Sequence, residues 1–105
     1  KDFAEALGKG ALPQLQELFL GGNKISDPGM IALSEAIGKG ALPGLVYLYL
    51  NDNQISNTGM IAFSEAIGKG ALVNLEELLV DDGPLGTEHP ALKAACEARG
   101  IRVVS

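Results

Sequence analysis

Shifted by 30 positions, the chain lays Gly21 to Leu50 over Asn51 to Val80. Ile-Ser, Gly-Met-Ile-Ala and Ser-Glu-Ala-Ile-Gly-Lys-Gly-Ala-Leu are identical in both copies. A unit recurring at such a period buries its apolar face against its neighbours instead of within itself, so matching positions become neighbours in space. Glu5-Ala6-Leu7-Gly8-Lys9-Gly10-Ala11-Leu12 repeats the tail of the unit, and Val73 onward forms a more divergent copy. The expected organisation is one domain over 1–105. It comprises a partial leading repeat at 1–11, full repeats at 12–41 and 42–71, and a divergent carboxy-terminal repeat and cap at 72–105.

The second half of each unit reads as a helix. Asp27 is expected to cap it with Pro28 in the first position, and Met30, Leu33 and Ile37 recur on one face; Met60, Phe63 and Ile67 repeat the stripe. Each helix is expected to stop at Gly-Lys-Gly, residues 38–40 and 68–70, where glycine permits a left-handed exit. Glu5 and Lys9, Glu35 and Lys39, and Glu65 and Lys69 are spaced for weak pairs along exposed helix faces, and the three lysines line up as a basic row on one rim. Between helices runs L-x-x-L-x-L-x-x-N: Leu15, Leu18, Leu20 and Asn23, then Leu45, Leu48, Leu50 and Asn53. The third copy has Leu75, Leu78 and Val80, with Gly83 in place of the asparagine.

In this motif the chain resembles the leucine-rich-repeat family, and its period and helical half resemble the ribonuclease-inhibitor-like subclass. The resemblance covers nearly the whole sequence. It implies an α/β, right-handed solenoid with parallel strands on the concave side and helices on the convex side, as the handedness of parallel crossovers also requires. The motif leucines, with Ile25, Ile55 and Leu85, then stack as core. Asn23 and Asn53 bond the loop backbone of neighbouring turns, and Gly83 interrupts that ladder, so the third turn is expected to be looser or differently shaped.

Side chains alternate along a strand, so the residues between the leucines point outward. They are Glu17 and Phe19, Tyr47 and Tyr49, Glu77 and Leu79. Read across the sheet they give two rows, Phe19-Tyr49-Leu79 and Glu17-Tyr47-Glu77. Large side chains in outward positions mark an interaction surface, although cross-strand stacking alone would also explain them. Beyond the strands Asn51, Asp52, Asp81 and Asp82 form an acidic rim opposite the lysines. These ten residues are the candidate partner-binding set.

Nothing reads as catalytic or metal-binding, and no cofactor is expected. His89, followed by Pro90, is expected at an exposed helix start, with Thr87 beginning the last helix. Cys96, in an apolar stretch, is expected to be buried about 10 Å away. Gly-Lys-Gly follows a helix and precedes alanine, which a phosphate loop does not do. The net charge of −5 and the lack of aromatics interleaved with Arg or Lys weigh against nucleic acid and anionic membranes. They favour a neutral or basic protein partner.

A single cysteine and the lack of a long apolar run point to an intracellular, cytoplasmic location. The leading segment is expected to form a short helix from Phe3 to Leu7. The strand at Leu15–Leu20 would then leave an uncapped edge, open to upstream repeats or to self-association. The reading that results is a non-catalytic protein-binding module. The alternatives are a GTPase regulator, which the resemblance to Ran GTPase activators implies, and a structural or consensus-like array without a specific ligand.

Overall fold

The computed structural model describes residues 14–105. Seven elements alternate along the chain: β1 (Glu17–Phe19), α1 (Asp27–Gly38), β2 (Tyr47–Tyr49), α2 (Asn57–Gly68), β3 (Glu77–Leu79), α3 (Pro90–Arg99) and β4 (Arg102–Val104). The strands form one parallel sheet in the order β1-β2-β3-β4. Successive helices pack side by side on one face of it. The solenoid expected from the repeat is therefore present. Its strands are three residues long, shorter than the Leu15–Leu20 span read from the motif. The helix expected at Phe3–Leu7 and the Glu5–Lys9 pair lie outside the described residues.

Leu45, Leu48 and Leu50 from the second turn and Leu75, Leu78 and Val80 from the third are buried against Met30, Leu33 and Ile37 of α1 and Met60, Phe63 and Ile67 of α2. Leu15, Leu18 and Leu20 of the first turn are only partly buried. Ile25 and Ile55 pack against this core, whereas Leu85 does not: it is 45% exposed. The chain leaves Val80 by a different route in the third copy, through a run of turns over 84–88 that swings Leu85 outward. That turn is not loose. Gly86, Thr87, Glu88 and His89 all donate backbone hydrogen bonds to Asp81, Gly83 or Gly86.

Helix exits follow one design. Gly40 and Gly70 sit at φ 101°, and their N–H groups reach Ile37 and Ile67 carbonyls. The next residues, Ala41 and Ala71, donate to Ala36 and Ala66. This double closure of the last turn needs a left-handed residue, which glycine adopts without the Cβ penalty. Neither Glu35–Lys39 nor Glu65–Lys69 closes as an ion pair; among the described residues only Arg102 and Glu77 do, at 3.3 Å. Solvated side chains at those exposed positions gain little from pairing.

Polar contacts between turns fix the stacking register. The Asn53 Oδ1 accepts from the backbone N–H groups of Asn23 (3.0 Å) and Ile25 (2.8 Å) in the preceding turn. Its Nδ2 donates to Leu20 (2.9 Å), Leu50 (3.0 Å) and Asn51 (3.3 Å) carbonyls. Among the described residues the Asn23 side chain makes one bond, to the Gly21 carbonyl of its own turn. Asp27 does not cap its own helix, whose N-cap is Ser26. Its carboxylate instead crosses to the next turn, accepting from the Ser56 N–H (2.8 Å), the Ser56 hydroxyl and the Gly59 N–H (3.1 Å) at the start of α2. These bonds, foremost that from the Ser56 hydroxyl, hold the Asp27 carboxyl below its ordinary value of 3.8. At the other end of α2, the guanidinium of Arg99 donates to Ile67, Ala71 and Leu72 carbonyls, so α3 caps the helix before it.

Two stability measurements follow. Asn53→Ala removes five bonds and strands backbone groups at the bend, and is expected to cost about 2–3 kcal/mol in urea unfolding, against less than about 1 kcal/mol for Asn23→Ala. Equal costs would contradict the ladder. Because the folded-state pKa of Asp27 is depressed, its contribution is complete above the ordinary value of 3.8 and is lost as pH falls through the lower folded value. The stability gap between the wild type and Asp27→Ala should therefore be constant near neutrality and close in acid. A gap that ignores pH would show that the cross-turn cap does not form.

Candidate functional site

The strand register places the outward residues as two continuous rows. Glu17 lies beside Tyr47, Tyr47 beside Glu77, and Glu77 beside Arg102; Phe19 lies beside Tyr49, Tyr49 beside Leu79, and Leu79 beside Val104. The reason is local: each motif strand is pinned by inward Leu18, Leu48 and Leu78, so its flanking residues must face away from the core.

Phe19 is 59% exposed, while Tyr47, Tyr49, Glu77 and Leu79 are half-buried. The Phe19 and Tyr49 rings stack with centroids 4.6 Å apart and planes inclined by 23°. That contact explains one ring face of each and leaves the outer face of Phe19 in solvent. In the neighbouring row Arg102 answers Glu77, so the acidic character there is reduced at β4 and retained at the exposed Glu17.

The acidic rim is partly a structural device. Asp52 has φ 58° and donates its N–H to the Asp81 carboxylate (2.9 Å), and the Asn51 amide donates to the Asp52 carboxylate (3.1 Å). Asp81 thus links the second and third loops, while Asp82 is exposed beside it. The structure brings all ten predicted site residues to the sheet face or its adjoining rim. It gives Asn51, Asp52 and Asp81 bonding roles that the sequence reading did not anticipate. On the opposite rim Lys39 and Lys69 are exposed at successive helix ends, and Lys9 lies outside the described residues.

His89 is not exposed: at 3% accessibility it is the N-cap of α3, in place of the expected Thr87. Its Nδ1 accepts from the Leu92 N–H (3.3 Å), which places the ring proton on Nε2, 2.8 Å from the Asn57 amide oxygen on α2. Cys96 is fully buried, and burial pushes its thiol up to about 11, which keeps it protonated and unreactive at neutral pH. Among the described residues no cluster of His, Cys, Asp and Glu could hold a metal ion, and no helix is long and apolar enough to cross a membrane.

Asp27 and Arg99 were missed as inter-turn caps because each looks like an ordinary terminal charge on its own helix. The departure of Asn57-Thr58 from Asp27-Pro28 between otherwise matching copies was the available signal.

Comparison with known families accords with this geometry. A family model described as Leucine Rich repeat matches residues 12–34 and 43–64, which take in β1 with most of α1 and β2 with most of α2. No curated protein matches the chain. The two matched units pair through β1 and β2, and the divergent third unit continues the same sheet in the same register. These two matched repeats and the parallel sheet they build give the chain the architecture of a leucine-rich-repeat solenoid.

Proposed function

We propose that the chain is a non-catalytic protein-interaction module that docks its partner on the outward face of the sheet. Leucine-rich repeats generally mediate protein–protein interaction, and the observation that carries the reading for this chain is the row Phe19-Tyr49-Leu79-Val104 with Phe19 largely in solvent. Aromatic side chains on a rigid strand offer contact area at small entropic cost, and such residues supply most of the binding energy of protein interfaces. Glu17 and Asp82 at the margins, with the net charge of −5, suit a neutral or basic partner surface. The strand–helix unit favours assignment to the ribonuclease-inhibitor-like subclass.

A second reading, in which the outward residues only stabilise the sheet, is favoured by the Phe19–Tyr49 stack. The two readings differ in what the triple substitution Phe19→Ser, Tyr47→Ser, Tyr49→Ser does. Under the docking reading it leaves the circular dichroism spectrum and cooperative unfolding intact but weakens capture of a partner, identified by cross-linking and mass spectrometry, by at least about 30-fold, the equivalent of about 2 kcal/mol. Unchanged affinity would leave the sheet-stabilising reading standing.

A further inference from the structure

The asparagine ladder ends one rung early, and the gap opens on a cleft. In the first turn the N–H groups of Asn23 and Ile25 are both satisfied by the carboxamide oxygen of Asn53 from the next turn, and its NH2 returns bonds to Leu20 and Leu50 carbonyls. The equivalent donors of the second turn are the N–H groups of Asn53 and Ile55. The matching position of the third turn is Gly83, with φ 99° and no side chain. Among the described residues neither N–H has a partner, and the carbonyl of Val80, equivalent to that of Leu50, accepts no bond. Between these two turns lies a cleft of about 300 Å³ whose apolar lining comes from Leu50, Ile55, Met60, Val80, Pro84 and Leu85.

We propose that this cleft receives the side-chain carboxamide of an Asn or Gln residue on a protein partner, which supplies the missing rung. The unmatched groups are two donors and one acceptor, which a primary carboxamide answers with its one oxygen and its NH2 group, as the Asn53 carboxamide does in the turn before. An ammonium has no acceptor for the two N–H groups. A carboxylate has no proton for Val80 and would sit beside Asp81 and Asp82, which line the same cleft. The aliphatic stem of the incoming side chain meets the apolar walls, and the exposed Leu85 covers it. The site lies beyond the strand ends and does not depend on the aromatic row.

The test is an amide-resolved NMR titration of the full chain with N-acetyl-glutamine methylamide and, separately, its isostere N-acetyl-glutamate methylamide at neutral pH. The glutamine compound should move the Asn53 and Ile55 amide protons downfield, saturably, leaving those of Asn23 and Ile25 in place; the glutamate compound should not. Leu85→Trp, at a half-exposed position lining the cleft, places an indole in it. It should abolish the response while the unchanged Asn23 and Ile25 signals report an intact ladder. Equal response to both compounds would place recognition in the probe backbone and overturn the proposal. So would no saturable shift at Asn53 and Ile55, or a response that survives in Leu85→Trp.

Discussion

The structure depends on a set of hydrogen bonds that run between turns rather than within them. Apolar burial drives the stacking, yet it is non-directional and would accept more than one alignment of two similar leucine ridges. The carboxamide of Asn53 is directional: it holds two donors of the turn before it while closing its own loop. Asp27 and Arg99 do the same for the two ends of α2, the first reaching forward by one turn and the second reaching back. Buried backbone groups left without partners cost about 1–3 kcal/mol each, so this register is strongly preferred over its neighbours.

A fixed register has consequences on the outside of the sheet. With Leu18, Leu48 and Leu78 aligned across three strands, Phe19, Tyr49 and Leu79 become one continuous strip. A slip of one residue would turn every strand over and bury that strip while exposing the leucines. The inner bend and the outward face are thus two results of one alignment. The third turn shows what happens when a ladder residue is lost. The chain recovers order by a different turn stapled to Asp81, but leaves polar groups of the second turn facing a cleft.

Much of this was legible in the sequence because repetition converts distance along the chain into proximity. The 30-residue period gave strand order, parallel pairing and the identity of the outward rows, since all three follow from stacking identical units. Helix ends were legible at Gly40 and Gly70, where a left-handed residue is required. Less legible was everything that one repeat does to another. Asp27 looked like its own helix's cap, but its carboxylate serves the next helix. His89 looked exposed, although packing α3 against α2 buries it beneath Asn57. Leu85 looked like core by analogy with Ile25 and Ile55, but Gly83 redirects the chain just before it. Local pattern reports a residue's own element; contacts across turns depend on the path of the neighbouring loop.

The most direct test of this account is a set of interstrand nuclear Overhauser effects in solution. Backbone contacts pairing Leu18 with Leu48, Leu48 with Leu78 and Leu78 with Val103, together with ring contacts between Phe19 and Tyr49, are the expected pattern. Helical signals without interstrand contacts, or contacts displaced by one residue so that Phe19 meets Leu48, would contradict the stacking from which the rest is argued.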